Sequence, residues 1–435
     1  MIGKPAETFR AQSPDSVDVP VSAKPVALRM SKDPLAAIVF VGFAEALSAP
    51  EAVWSLVDAG FQVKAFARRG RRSALRHSRH VQVFDVTAPE TDGAATIQDV
   101  ANLLAVTLRN GAAPVLFPLD DAAVWACSRV AADPPFVLAG PRGAMAELAL
   151  NKIAQIDAAR AAGFNVLPTK VARSREEALN PGVDYPLILK PADATSLKSG
   201  RLSKGRNSIC ANREELERAV EKWDGLAPLL IQPYVAGTGE GIFGIVTNRG
   251  VEAWSGHQRL RMMNPHGSGS SACVSKSVTK DLLAPAERFA LQSGWRGLFM
   301  IELIRDAQGV VWFMEFNGRP WGSIALARRQ GLEYPAWNVQ LALDEDWKVQ
   351  RETTLASDLV CRNAGRELLH PLFVLRGPKS TAIKHWPSFW GSVAGVARIN
   401  RQHSFYNWRK DDLGVFVTDC FYTVCDNLFK SKRRE

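Results

Sequence analysis

Two acidic residues stand inside otherwise apolar runs: Glu302 within Leu298–Ile304 and Glu315 within Val310–Phe316. Between them, Asp306-Ala-Gln-Gly309 supplies a turn whose glycine can take positive φ, so the runs form a predicted β-hairpin. Folding the ribbon at that turn brings Glu302 to within a register step of Glu315. Alternation by two puts Glu315 and Asn317 on one face and Val310, Trp312, Met314 and Phe316 on the other. Side by side among apolar residues, two carboxylates repel and lose hydration, so one is driven to protonate. A divalent cation removes the conflict. Two carboxylates and an amide oxygen form a hard-oxygen set suited to Mg²⁺, which keeps several waters and takes further ligands from phosphates. Arg319 would stand beside it as a fixed cation for phosphate or carboxylate. The competing reading is an ordinary hairpin with two solvated glutamates at an edge, for which the apolar neighbours leave little room.

Other segments carry what such a site would need. Asn151-Lys152 heads a helix that stops at Gly163, and the apolar strand from Tyr185 ends in Lys190-Pro191. A polar loop predicted to be flexible follows, from Ser196 to Gly205. Ammonium groups and loop N–H groups are the donors a triphosphate requires. Pro228 to Gly241 runs an apolar strand into a polar elbow containing Gln232, Tyr234, Val235 and Glu240. Adenine needs a backbone donor and acceptor in an apolar slot, and ribose needs a carboxylate; a plain strand and glycine-rich turn is the alternative. Arg259 and Arg261 share a face if His257–Arg261 is extended and could bind a carboxylate or phosphate. A mobile basic loop is the alternative there.

Composition narrows the classes. The 435 residues suggest about three units, and 46% hydrophobic with 23% charged residues describes a soluble globular chain. No run reaches the roughly 18 uncharged apolar residues that span a bilayer. The six cysteines are scattered without Cys-x-x-Cys spacing, which fits reduced thiols in the cytoplasm. A net charge of +10 gathers in Arg68–Arg79, Lys198–Arg206 and Lys430–Arg434, and no nucleic-acid motif accompanies it.

Residues 1–33, rich in Pro, Ser, Ala and Lys, form a predicted disordered tail. From residue 34 to 145, short apolar runs alternate with helical stretches, the pattern of a parallel sheet with helices on both faces. The first strand-to-helix turn lacks Gly-x-Gly-x-x-Gly, so it is not a dinucleotide site. Asp120 and Asp121 end the fourth strand, where open sheets bind ligands, but helix capping also explains them. The helix Val417–Phe429 with Lys430–Arg434 after it could anchor at a membrane interface; a helix packed on the protein is the preferred reading.

Taken together, these ordered motifs resemble the ATP-grasp superfamily, in particular its carboxylate–amine ligases. In that family a glutamate on one strand is followed by Glu-x-Asn-x-Arg on the next, here Glu315-Phe-Asn-Gly-Arg319. The resemblance implies a Rossmann-like domain (34–145), then an ATP-grasp domain (146–345) with lobes of about 146–230 and 231–345, and an extension (346–435) without a counterpart. It implies that Lys152 and Lys190 hold ATP phosphates, that the backbone of Gln232, Tyr234 and Val235 reads adenine, that Glu240 takes the ribose and that Ile304 covers the base. Glu302, Glu315 and Asn317 would be ligands of Mg²⁺, or of Mn²⁺ in its stead. Arg319 would face the transferred phosphoryl group and the acyl substrate, with Arg259 and Arg261 at the substrate. The implied partners are a small carboxylate and an amine, not nucleic acid, and self-association is compatible with all of this. The alternative is a non-catalytic ATP-binding scaffold that uses its extension to hold a partner.

Overall fold

The alternating pattern that begins at Ala37 folds as a parallel sheet in a computed structural model describing residues 37–109, 113–131, 135–349, 358–378, 380–400 and 403–429. Both the tail predicted for 1–33 and the basic run Lys430–Arg434 lie outside these described residues. The strands β1 (Ala37–Gly42), β2 (Gln62–Arg68), β3 (Gln82–Val86), β4 (Ala113–Pro118) and β5 (Val137–Leu138) pair in the order β3-β2-β1-β4-β5. Successive residues of β1 enter different cores, Val39 and Val41 one and Phe40 another. Both faces are therefore covered, which is why the strands are apolar throughout.

Farther along come β6 (Asn165–Val166), β7 (Lys170–Ala172), β8 (Leu187–Pro191), β9 (Ser196–Lys198), β10 (Arg201–Ser203), β11 (Ser208–Cys210) and β12 (Leu229–Pro233). Of these, β7, β8, β11 and β12 form an antiparallel sheet in the order β11-β8-β12-β7. The remaining strands are β13 (Gly237–Thr247), β14 (Gly250–Asn264), β15 (Ser268–Lys276), β16 (Gly297–Asp306), β17 (Val311–Asn317), β18 (Val360–Arg362) and β19 (His403–Phe405). With β6 they build an eight-stranded sheet, β19-β18-β15-β14-β13-β16-β17-β6. Two of its strands come from the residues after 346, so that segment is woven into the sheet. Its helix Leu413–Phe429 packs on the helix Ala364–Leu375, where Gly365 lets Cys420 and Thr423 approach closely. Among the described residues no helix is long and apolar enough to cross a membrane.

The large sheet is covered on both sides beneath β16 and β17. Ile301, Leu303, Phe313 and Phe316 meet Phe289 and Ala159 from the helices Lys280–Gln292 and Lys152–Ala162. On the opposite face Phe243, Leu298 and Met300 share a core with Val39 and Val41 of the parallel sheet. Phe243 stacks on Trp321 at 4.4 Å between ring centroids, anchoring the chain just past Arg319.

A buried ion network fastens the helix Ala49–Asp58 to the helix Ile324–Arg329. Glu51, 1% exposed, accepts from Arg328 at 2.7 Å, from Arg329 at 3.1 Å and from the Asn407 N–H at 3.0 Å. Truncating one member of a buried pair leaves its partners charged and desolvated. Glu51→Ala is therefore expected to lower unfolding stability by about 3 kcal/mol, read as a shift in the urea midpoint.

Candidate active site

Register on the ribbon decides whether two carboxylates meet. Glu302 of β16 lies directly opposite Glu315 of β17, and Asn317 lies opposite Met300. The simple alternation along β17 does not survive, however. Leu303 pairs with Phe313, so Met314 is an extra residue, a β-bulge that resets the faces. Phe313 and Phe316 consequently share the buried side, where both ring centroids lie within 5.7 Å of Phe289. Val310, Trp312, Met314 and Phe316 do not form one face as the period-2 pattern predicts. The bulge leaves Glu315 and Asn317 together on the face of Glu302 and Ile304.

Like charges directly opposed on a ribbon are unfavourable, and basic side chains surround these two. Lys152 Nζ lies 3.1 Å from Glu315 Oε1, and Arg259 Nη2 lies 2.8 Å from Glu302 Oε2. Arg259 arrives from β14 by crossing β13, where Gly239 leaves its path open; a Cβ there would sit 2.7 Å from Arg259 Cδ. Gly241 does the same for His257, whose Nδ1 meets Ser323 Oγ at 2.8 Å. Burial, with Arg259 adding, pushes the His257 imidazole down to about 3, so it is neutral at physiological pH.

Both predicted lysines converge here. Asn151 caps the helix Lys152–Ala162, and the Lys152 N–H donates to Ala192 O at 2.7 Å, tying the helix start to the chain just past Lys190. Lys190 is 7% exposed. Burial, reinforced by Lys152, pulls its ammonium down to about 8 against the opposing attraction of Glu315 and Glu302. Arg319 donates to Asp121 Oδ1 at 2.9 Å, and Lys204 Nζ lies 3.3 Å from Asp121 Oδ2. Burial opposes ionisation of Asp121, yet Arg319 and Lys204 hold its carboxyl well below the usual range. The two aspartates thus divide the roles left open by sequence: Asp120 accepts from the Ala123 N–H at 2.7 Å as the helix cap, and Asp121 faces the site.

Several expectations need correction. The loop 196–205 is a two-residue hairpin with positive φ at Ser199 (47°) and Gly200 (78°), docked through Gly200 O to the Gly93 N–H and through the Leu202 N–H to Pro89 O. Glu240 does not face the site. It pairs with Leu303, whose side chain lies in the apolar layer on the other face, and its carboxylate takes Arg305 bidentately at 2.8 and 2.9 Å. The Tyr234 N–H is given to Pro186 O at 2.8 Å, and Gln232 lies opposite Ile188 within the β12–β8 ladder, so of the predicted hinge Val235 is the residue past the strand pairing. Between Arg259 and Arg261 the register slips by one residue, so the two do not share a partner face. Arg261 goes instead to Glu367 of the extension.

Among the described residues no group of three or more His, Cys, Asp and Glu could hold a metal. A cation here would depend on the mixed set of Glu302, Glu315 and Asn317, which fits a hard divalent ion in donor chemistry.

Compared by sequence, the chain matches no protein-family model and no curated protein. Solved structures do match it. An L-amino acid ligase from Bacillus licheniformis has a TM-score of 0.59 at 16% identity, over 75% of this chain and 80% of the other. N5-carboxyaminoimidazole ribonucleotide synthetase, as its ADP complex, has a TM-score of 0.58 at 14% identity, over 82% and 90%. The biotin carboxylase domain of Hydrogenobacter thermophilus 2-oxoglutarate carboxylase, with MgADP and bicarbonate, has a TM-score of 0.56 at 17% identity, over 75% and 74%. These are ATP-grasp enzymes, and the chain has the ATP-grasp fold.

Proposed function

We propose that this protein is an ADP-forming ligase that activates a carboxylate as an acyl phosphate and joins it to an amine. The observation that carries the reading is the direct opposition of Glu302 and Glu315, ringed by Lys152, Lys190, Arg259 and Arg319. Such a ring suits a polyanion that brings its own cation, and MgATP is one. A bound Mg²⁺, or Mn²⁺, held by Glu302, Glu315 and Asn317 would neutralise phosphate charge.

The chain's own residues would do the rest. Lys152 and Lys190 hold the phosphates, the backbone at Val235 reads the adenine edge, and Ile304 covers the ring. A carboxylate anion is a poor electrophile and is repelled by a triphosphate. Arg319 offsets that repulsion and steadies charge as a carboxylate oxygen attacks the γ-phosphorus and ADP leaves. The amine then attacks the acyl carbon, phosphate departs with the bonding pair, and a proton is lost from nitrogen. Closure of the lobes over the site would exclude water from the acyl phosphate. All six cysteines are free, which supports a reducing cytoplasm as the place of work.

ADP release by the purified chain, with small carboxylates and amines supplied in pairs, tests the proposal. Release should require both an acid and Mg²⁺. Tight MgATP binding without release on any pair would favour the non-catalytic scaffold instead.

A further inference from the structure

The residues after β17 build a second polar cluster against the candidate site. Cys361 of β18 lies opposite Cys273 of β15, and the Tyr406 N–H donates to Arg362 O at 2.9 Å, which places the Tyr406 ring among Cys273, Cys361, Ala325 and Leu326. Tyr406 is 2% exposed. Among the described residues its Oη meets the weakly bonding Cys273 thiol, and no hydrogen bond of normal geometry reaches it. Arg366 comes to the same place from the helix Ala364–Leu375. Its Nη1 donates to Ser270 O at 3.0 Å, Ser270 Oγ meets Cys273 Sγ at 3.0 Å, and its charge acts on both Tyr406 and Cys273.

The neighbouring basic groups show how a satisfied cluster looks in this fold. Arg261, Arg362 and Ser271 all converge on the buried carboxylate of Glu367. Arg366 has no such partner: among the described residues no carboxylate forms an ion pair with it. Asp419, already held by Asn363 and Asn407, acts on it only at longer range. Arg259, opposite Cys273 in register, links the cluster to Glu302, and its own Nε is buried without an acceptor. A guanidinium with unused donors, a phenol and an arginine Nε together lack one thing, an anionic acceptor.

We propose that Arg366, Tyr406 and Arg259 form the subsite for the anionic group of a small carboxylate substrate, so that the C-terminal extension supplies half of the acceptor pocket. A planar carboxylate has two oxygens to meet a guanidinium fork and a phenolic hydrogen together. Ala325 and Leu326 pack in one apolar cluster with the Tyr406 ring. The choice of a carboxylate rests on the ligase reading above; binding of the anion itself requires no turnover.

Thermal unfolding of the full chain separates the two ideas. Each proteinogenic L-amino acid, succinate and inorganic phosphate is added alone, without nucleotide. At least one carboxylate should raise the wild-type midpoint by roughly 2 °C. Arg366→Met should lose that rise, and Arg366→Lys should regain part of it. Tyr406→Phe, which removes one buried oxygen, should need about tenfold more carboxylate for the same shift. All three variants should keep the rise produced by MgADP, which verifies that they fold. The subsite is overturned if Arg366→Met responds like the wild type, if no carboxylate acts, or if only phosphate does. A wild type that responds to a carboxylate and not to MgADP would sink the ligase reading and leave the subsite standing.

Discussion

Glu315→Gln is expected to lower kcat for ADP formation by roughly 10²–10³-fold, the range seen when one preorganised electrostatic partner of a transferring group is removed. The amide keeps the shape of the side chain and one oxygen, so the loss reports charge. Two further consequences distinguish this from unfolding. The direct opposition of Glu302 and Glu315 is relieved in the variant, and like charges facing each other across a ribbon destabilise it. Relief from Glu302 offsets the lost Lys152 pair, so the thermal midpoint of the ligand-free variant should stay close to that of the wild type. Lys152, which loses its 3.1 Å partner, should also be freer to move. A variant that unfolds early, or that retains full turnover, contradicts the role given to Glu315.

Lys190→Met should be comparably severe, with kcat/KM for ATP down roughly 10²–10³-fold, and it also changes the pH profile. In the free protein Lys190 loses its proton near pH 8, because burial and Lys152 disfavour the ammonium more than Glu315 and Glu302 favour it. The wild-type kcat/KM for ATP should then fall as pH rises through about 8, and the residual activity of Lys190→Met should be flat there. Stability has the matching sign. A lysine whose folded pKa is depressed destabilises the fold fully below the folded value. The penalty fades as pH climbs from about 8 toward the unfolded value of 10.5. Lys190→Met should accordingly be the more stable protein at pH 7, and its margin should shrink above pH 8. Calorimetric titrations in buffers of different ionisation enthalpy would show the wild type taking up protons on binding MgATP above pH 8.

Much of this site is legible in the sequence wherever a residue type is forced by chemistry. Two glutamates cannot be accidental in runs as apolar as Leu298–Ile304 and Val310–Phe316, and the turn at Asp306–Gly309 fixes which strands meet. Asn151 and Gly163 bracket their helix as capping rules demand, the glycine at φ 90°. What escapes is anything that depends on counting by twos through an irregularity. The unpaired Met314 and the slip between Arg259 and Arg261 each flip a face, and neither leaves a mark in composition. Glu240 fails for a related reason. It stands next to glycines 239 and 241, which are the positions that oppose Ile304 and Glu302. The acid and the site lie on opposite sides of one strand.

The remainder was hidden by sequence distance. Asp121 reaches Arg319, and Tyr406 and Arg366 reach the neighbourhood of Arg259, only through tertiary packing between segments far apart in the chain. The polar run 196–205 has the composition of a loose loop, and Leu202 makes it a docked hairpin by burying in the core beside Trp125. No local pattern signals such a contact. The Ser199-Gly200 pair is the sequence signal compatible with a tight two-residue turn, and both residues take positive φ.

Equilibrium binding of a non-hydrolysable ATP analogue, measured on the wild type and on the double variant Glu302→Gln/Glu315→Gln with and without Mg²⁺, tests the central claim most directly. The wild type should bind at least tenfold more tightly with Mg²⁺ than without it, and the double variant should show no such gain. Equal affinities with and without the ion in the wild type, or an undiminished gain in the variant, would contradict the assignment of these two carboxylates.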